Sequence, residues 1–204
     1  MDTAAISRLL APFAQLEEQQ LRLTSIYIDL LLKWNARINL TSVRDPEEIV
    51  TRHFGESFFA AQILRSRGPV RRGIDLGAGA GFPGIPMAML MPETAFTLIE
   101  SNQKKATFLR EVIFALGLKN AGTFTGRGED YRERADLVTM RAVERFEKAL
   151  PVAIGLLEPG GKAGLMIGES QVPQAKALAP EVKWTELVPV PSGHFRVLLI
   201  GTKE

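Results

Sequence analysis

The sequence predicts an α/β fold, in which a doubly wound, mostly parallel sheet of seven strands follows an N-terminal helical extension. From residue 71 onward, short apolar runs alternate with helical patterns, and such alternation builds a parallel sheet through right-handed crossovers. The last two runs are separated only by the turn Pro191-Ser192-Gly193, so we expect them to pair antiparallel. Before residue 71, apolar residues recur at spacings of three and four, which is typical of amphipathic helices.

The helical extension comprises three predicted helices. Two apolar stripes, within residues 9–16 and 23–34, indicate the first two; we assign them to a core because their polar faces are not rich in the basic residues of a membrane-surface helix. The third is predicted to begin at Asp45-Pro46, with Asp as N-cap and Pro in the first turn, and to run to about Arg65. We therefore divide the chain into an extension, residues 1–67, and a core domain, residues 68–204.

Strands and helices of the core domain follow from the same reasoning. The strands are predicted at residues 72–76, 95–100, 121–126, 136–140, 162–167, 184–190 and 195–200. The helices are predicted at residues 83–91, 104–116, 146–157 and 172–178, with a turn at 158–161. In such a sheet, ligands bind beyond the carboxyl ends of the strands.

Composition excludes several classes of protein. The chain has 204 residues, of which 46% are hydrophobic and 24% charged, which is ordinary for a globular protein. No apolar run approaches the roughly 20 residues that span a bilayer, and the first residues resemble no signal peptide, so we expect a cytoplasmic protein without membrane association. The lack of cysteine excludes thiolate metal sites, a thiol nucleophile and a disulfide-linked partner; we expect a monomer without a metal site.

Positive charge is concentrated before the sheet. Residues 33–72 contain eight basic and four acidic side chains, although the net charge of the whole chain is only +2. This stretch is a candidate surface for phosphate groups. The alternative is a solvated face whose charge is balanced in three dimensions.

A glycine-rich segment, residues 73–86, is the strongest functional signal. Its apolar strand contains Asp75, and Gly77, Gly79 and Gly81 follow at every second position. Glycine permits φ > 0 and lets a ligand approach the backbone. A flexible linker is the alternative, but the apolar runs on both sides favour a strand, a tight turn and a helix that begins at Pro83.

The residues around this loop favour one cofactor over another. Gly79, Gly81 and Gly84 satisfy the dinucleotide fingerprint, but that match alone is weak. An acid two residues before the first glycine suits a cationic, amine-bearing ligand better than a pyrophosphate. S-adenosylmethionine has this chemistry: Glu100, at the end of the second strand, would accept its ribose hydroxyls, and the segment Gly128-Glu129 would meet its adenine.

Several motifs together resemble one family. They are Leu32-Lys33-Trp34-Asn35, Asn39 to Pro46, Arg52-His53, Asp75 to Pro86, Lys104-Lys105 with Phe108-Leu109, Arg127 to Glu129, and Arg141-Ala142. In this order they closely resemble the ribosomal small-subunit methyltransferase G family, also called glucose-inhibited division protein B. The chain departs from the family pattern at Glu56, where aspartate is usual.

The resemblance implies a Rossmann-like class I methyltransferase fold and a function. Family members transfer a methyl group from S-adenosylmethionine to N7 of a guanine in 16S rRNA of the small ribosomal subunit. The implied cofactor contacts are Gly77, Phe82, Glu100, Gly128, Glu129 and Arg141, to which the loop pattern adds Asp75, Gly79 and Gly81. The expected RNA-facing residues are Asn39, Thr41, Arg44, Arg52 and His53. The alternative for the latter group is that it packs the extension on the sheet.

Guanine N7 carries a lone pair and no proton, so its methylation requires alignment rather than a general base. We assign the catalytic role to Arg141, a fork of donors for the cofactor or for guanine O6; its alternative is a structural ion pair with Glu100 or Asp136. Two other functions stay open: a methyltransferase with another RNA, protein or small-molecule acceptor, and an assembly factor without catalysis.

Overall fold

The computed structural model describes all 204 residues, Met1–Glu204. Its strands are β1 (Arg72–Leu76), β2 (Ala95–Glu100), β3 (Ala121–Thr125), β4 (Ala135–Arg141), β5 (Leu157–Gly168), β6 (Val182–Pro189) and β7 (Arg196–Lys203). Its helices are α1 (Thr3–Leu10), α2 (Glu18–Asn35), α3 (Pro46–Glu48), α4 (Glu56–Arg65), α5 (Gly84–Leu90), α6 (Gln103–Ala115), α7 (Phe146–Gly155) and α8 (Val172–Leu178). None of these helices is long and apolar enough to cross a bilayer.

The seven strands form one sheet in the order β3-β2-β1-β4-β5-β7-β6. Strands β1 to β5 run parallel, and β7 runs antiparallel to both of its neighbours, β5 and β6. The predicted fold class is therefore confirmed. The chain moves from β1 outward to β3 and then returns to place β4 on the other side of β1, so the switch point lies beside the glycine-rich segment.

Most bounds in the core domain differ from the expected ones by a few residues, and two of these differences have a local cause. The predicted turn at 158–161 was wrong, because these residues form an irregular stretch within β5: the pairs Ala135↔Leu157 and Leu137↔Lys162 leave them opposite a single residue of β4. Pro159 has no N–H to donate to a ladder, and Gly160 has φ +77°. Helix α5 begins one residue later than expected, with Pro83 as its N-cap.

The third helix of the extension contains an irregular turn. Asp45 caps it as predicted, accepting a hydrogen bond from the N–H of Glu48 at 2.8 Å. Residues Ile49–Gly55 are π-helical and connect α3 to α4. A Cβ on Gly55 would lie 2.7–2.9 Å from the Phe13 ring, so the segment that follows α1 packs closely on this turn. A π-helical turn leaves carbonyl groups displaced from their usual partners and occurs frequently at functional sites.

Apolar side chains pack on both faces of the sheet. One cluster contains 35 buried residues, from the extension, α5, α6 and one face of the sheet. A second cluster of 20 buried residues lies on the opposite face, under α7 and α8. Because the extension shares the larger cluster with the core domain, it is held rigidly over one end of the strands. The boundary at residue 67 stays a prediction.

Candidate functional site

A cleft of about 1190 Å³ opens at the carboxyl ends of β1, β2, β3 and β4, and the extension forms one of its walls. The site residues predicted from the sequence that line this cleft are Thr41, Arg52, His53, Gly77, Gly79, Phe82, Glu100, Gly128, Glu129 and Arg141. The predicted residues that do not line it are Asn39, Arg44, Asp75 and Gly81. Strand order and the packing of the extension thus gather ten residues that are up to 100 positions apart in the chain.

The glycine loop lies across the end of β2. Gly77, Gly79 and Gly81 have φ of +72°, +56° and +90°, a region that costs other L residues about 1–2 kcal/mol each. The N–H groups of Gly77 and Ala78 donate to the carbonyl of Ile99, at 2.9 and 3.0 Å. The loop is therefore fixed by backbone hydrogen bonds, and Gly77 and Gly79 present bare main chain to the cleft.

Asp75 lies beneath this loop and not in the cleft. Its side chain is buried; Oδ2 accepts from the N–H of Gly84 at 2.9 Å, and Oδ1 accepts from Thr139 Oγ1 at 3.0 Å. Burial raises the pKa of Asp75 to about 7, although the hydrogen bonds from Gly84 and Thr139 oppose this shift. In place of the expected direct contact with an amine, Asp75 fixes the start of α5.

Glu100 combines structural and binding capacity. Its Oε2 accepts from the N–H of Gly79 at 2.9 Å, and its Oε1 accepts from the N–H of Asn102 at 2.7 Å. Each carboxylate oxygen can accept a second hydrogen bond. The carboxylate is thus oriented by the backbone and keeps a lone pair on each oxygen for a pair of hydroxyl groups.

Apolar side chains line the cleft next to Gly128. Gly128 starts a 3₁₀ turn, and a Cβ there would lie 2.6 Å from Leu76 and 2.8 Å from Val152. Ile99 also lines this region, and the exposed Glu129 stands beside it. Apolar side chains next to the backbone polar groups of Gly128 suit a flat heteroaromatic ring.

His53 and Thr41 form part of the wall that the extension provides. His53 Nε2 lies 2.7 Å from Thr41 Oγ1, and the imidazole stacks on the ring of Phe82 with centroids 5.0 Å apart. Its Nδ1 is buried without a hydrogen-bond partner. Burial, reinforced by Arg141 and Arg52, lowers the pKa of His53 to about 3, so the imidazole is neutral at physiological pH.

Asn39 and Arg44 hold the loop that carries Thr41. Arg44 donates to the carbonyl of Asn35 at 3.2 Å and to Asn39 Oδ1 at 3.0 Å. Oδ1 of the buried Asn35 accepts from the N–H groups of Leu40 and Thr41, at 2.9 and 3.0 Å. These contacts of Asn39 and Arg44 are the ones expected if both residues pack the extension instead of facing RNA. Asn35, in the motif after Trp34, is a positioning residue that sequence reasoning did not single out.

Arg141 is held by a buried ionic network. Its Nη2 donates to the carbonyl of Arg52 at 2.7 Å and to Glu56 Oε2 at 3.1 Å. Arg196 Nη2 lies 2.7 Å from Glu56 Oε1, close enough for an ion pair but not aligned as a hydrogen bond. The Glu56 side chain is only 3% exposed. Arg141 thus binds a carbonyl of the π-helical turn, and its acidic partner is Glu56.

Neither acid named as the alternative partner of Arg141 is its partner. Glu100 accepts backbone N–H groups of the loop, and Asp136 accepts the N–H groups of Arg71 and Arg72, each at 2.9 Å. Glu56 and Arg196 escaped sequence reasoning because they lie 85 positions before and 55 positions after Arg141. The only signal was that Glu56 departs from the family pattern.

Tyr27 supports the loop from below and was assigned from the sequence only to an apolar stripe. It is fully buried, its hydroxyl donates to the carbonyl of Ala80, and its ring stacks on Phe82 with centroids 5.3 Å apart. Helix α2 therefore contacts the glycine loop directly. A hydroxyl within a helical apolar stripe was the available signal.

The charge of the cleft differs in origin from the expected patch. Within residues 33–72, Arg52, Arg67 and Arg72 pair with Glu48, Glu186 and Glu158. The basic residues that line the cleft are Arg52, Lys105, Arg127, Arg141, Arg145 and Lys148. The acidic ones are Glu100, Glu129, Asp130 and Glu144. Most of the basic rim is contributed by the core domain.

Comparison with known proteins gives consistent matches. A family model described as rRNA small subunit methyltransferase G matches residues 20–194. A protein named Ribosomal RNA small subunit methyltransferase G from Desulfitobacterium hafniense is 41% identical over 153 residues, 72% of this chain and 62% of that protein. One of the same name from Roseiflexus castenholzii is 36% identical over 202 residues, 93% of this chain and 86% of that protein. A SAM-dependent methyltransferase from Aquifex aeolicus superposes with a TM-score of 0.60 at 16% identity, over 78% of this chain and 94% of the other; it shows the fold alone.

Proposed function

Because this chain belongs to the rRNA small subunit methyltransferase G family, we propose that it transfers a methyl group from S-adenosylmethionine to N7 of a guanine in 16S rRNA. The family membership predicted from the sequence is confirmed. The observation that carries the proposed reaction is the cleft itself: a glycine loop and an oriented carboxylate on one side, and a wall from the extension on the other. A monomer that acts in the cytoplasm, on the small ribosomal subunit, is part of the proposal.

The residues of the cleft fit S-adenosylmethionine. Glu100 keeps a lone pair on each oxygen for the ribose diol, and the apolar side chains that line the cleft next to Gly128 suit the adenine. Gly77, Ala78, Gly79, Ala80 and Phe82 of the loop also line the cleft. When bound, the cofactor supplies an electrophilic methyl group. A cleft of about 1190 Å³ exceeds the several hundred cubic ångströms that one drug-sized ligand fills, which leaves room for a nucleotide.

The wall from the extension supports a base as acceptor. Arg141 uses Nη2 for Arg52 and Glu56, while Nη1 has only a 3.5 Å contact with the carbonyl of His53. The remaining donors of the fork are therefore available to guanine O6. Neutral His53 stacked on Phe82 adds a flat surface without placing a further cation near a sulfonium. These residues position the base and exclude water, which is the main requirement of N7 methylation.

Methyl transfer with labelled cofactor tests the proposal. Purified small subunits, protein-free rRNA and ribosomal proteins are offered separately, and the labelled nucleotide is mapped by strand cleavage at 7-methylguanine. We expect label at one guanine of 16S rRNA. Label in protein would indicate another acceptor, and cofactor binding without transfer to any of these would favour an assembly factor.

Arg141→Ala tests the assigned role. We expect transfer to fall at least tenfold, about 1.4 kcal/mol in the barrier, with cofactor still bound. Arg22→Ala is the matched control, because Arg22 pairs with Glu18 on the exposed face of α2. Undiminished transfer by Arg141→Ala would refute the catalytic assignment.

A further inference from the structure

The turn between β6 and β7 presents one exposed aromatic side chain. Phe195 is 81% exposed, and its φ is +55°. Ser192, three residues earlier, has the same φ. L residues avoid this left-handed region, and strained backbone of this kind is concentrated at functional sites. Two such residues in one short turn call for a physical reason.

The turn is held by hydrogen bonds. The N–H of Glu169 donates to the carbonyl of Phe195 at 2.8 Å, and the N–H of Val190 donates to the carbonyl of Arg196 at 3.0 Å. The N–H of Gly193 donates to the carbonyl of Val190, also at 3.0 Å. These bonds fix the backbone on both sides of Phe195. The exposure of the ring is therefore a property of the folded turn.

The turn lies near the carboxyl ends of the parallel strands, where the cleft also opens. Arg196 begins β7 opposite Gly168, the carboxyl end of β5, and β5 runs parallel to β4, which ends at Arg141. Ionic contacts connect the two places, since Arg196 lies 2.7 Å from Glu56, and Arg141 donates to Glu56 at 3.1 Å. Phe195 thus precedes a residue that shares a carboxylate with the arginine of the cleft.

The surroundings indicate what covers the ring. Of the turn residues before Phe195, Val190 is buried and Pro191 is partly buried, while Ser192, Gly193 and His194 carry no apolar side chain. A protein partner would need a larger contiguous apolar surface. Arg196 follows Phe195 in the chain, and the acidic residue Glu169 contacts Phe195 through its backbone N–H. An exposed aromatic ring at the end of the strands that also carries the basic rim of the cleft is an arrangement on which unpaired bases of single-stranded RNA stack.

We propose that Phe195 binds the RNA substrate by stacking on a nucleobase outside the cleft. This proposal deepens the proposed function and rests on it. The stacked base would lie beside the one that enters the cleft, so the turn would set which stretch of RNA can present its guanine to Arg141.

The principal test is Phe195→Asn, because asparagine tolerates φ near +55° better than phenylalanine does. We expect the Kd for rRNA fragments and for small subunits to rise about 5-fold to 100-fold, as for loss of one stacked base. Thermal stability should stay equal or rise, and the Kd for S-adenosylmethionine should not change. Phe195→Trp should retain RNA affinity.

Phe114→Ala is the matched control. Phe114 is equally exposed, at 86%, but it lies on α6 beside β3, the opposite edge of the sheet. Unchanged RNA affinity in Phe195→Asn, or an equal loss in Phe114→Ala, would overturn the proposal. A loss seen with intact subunits but not with rRNA fragments would assign the ring to a ribosomal protein instead. RNA affinity is measured without methyl transfer, so the outcome is separate from failure of the proposed function.

Discussion

Replacing Asp75 and His53 one at a time should tilt the pH dependence of stability in opposite directions. Burial raises the pKa of Asp75 to about 7, from 3.8 in an unfolded chain. Burial also lowers the pKa of His53 to about 3, from 6.5. Both groups belong to the machinery around the cleft, yet neither appears among the chief causes of the other's shift. Their effects should therefore be nearly additive.

The sign of each effect follows from proton linkage. Between about pH 4 and 7 the unfolded chain has released the Asp75 proton while the folded chain keeps it, so the contribution of Asp75 to stability is lost as pH rises. Between about pH 6.5 and 3 the unfolded chain protonates His53 while the folded chain does not. The contribution of His53 is therefore present above pH 6.5 and is lost as pH falls.

The magnitudes are similar. The rise in the pKa of Asp75 from 3.8 to about 7 corresponds to about 4 kcal/mol. The fall in the pKa of His53 from 6.5 to about 3 corresponds to about 5 kcal/mol. Over their common range each group changes the free energy of unfolding by about 1.4 kcal/mol per pH unit. The two slopes have opposite signs and largely cancel in the native protein.

Urea unfolding at pH 4.5, 5.5 and 6.5 measures the effect as a difference from the native protein, in which other titrating groups cancel. Relative to it, Asp75→Asn should gain about 2 kcal/mol between pH 4.5 and 6.5, and His53→Gln should lose about 2 kcal/mol. The double variant should restore the native slope. If both single variants run parallel to the native protein, the buried positions of these two groups do not have the electrostatic effect reasoned here.

Three further predictions concern the support of the cleft. Tyr27→Phe removes the donor to the buried carbonyl of Ala80. We expect the free energy of unfolding to fall by about 1–3 kcal/mol and cofactor binding, measured by calorimetry, to weaken. If both values stay native, the Tyr27 hydroxyl does not support the loop. Glu56→Gln leaves Arg141 and Arg196 without their shared carboxylate. It should lower the free energy of unfolding by about 3–5 kcal/mol and slow methyl transfer. A native transfer rate would show that Arg141 does not need Glu56 for its position. Binding of rRNA should weaken steeply as salt concentration rises, and a flat response would argue against the basic rim of the cleft.

Local rules were sufficient for much of this protein. The bounds of β1, β2 and α8 were predicted to the residue, because each is a short pattern bounded by its own turn residues. The cap at Asp45 depends on a hydrogen bond to Glu48, three residues away. The positive φ of Gly77, Gly79 and Gly81 was expected because glycine adopts this region without the steric cost that a Cβ adds. The fold class and the cofactor loop were therefore encoded within windows of a few residues.

Contacts between distant elements were decided by the tertiary structure alone. Asp75 is buried against Thr139 because β1 pairs with β4 in a register that aligns these two residues, and no local pattern states which strands become neighbours. The ion pair of Arg141 with Glu56 and the hydrogen bond of Tyr27 with Ala80 join residues 85 and 53 positions apart. The sequence by itself thus determined the sheet, the glycine loop and the family. Which buried charges meet was decided by strand order and by the packing of the extension, because the free energy of a buried ion depends on the partners that the whole fold brings to it.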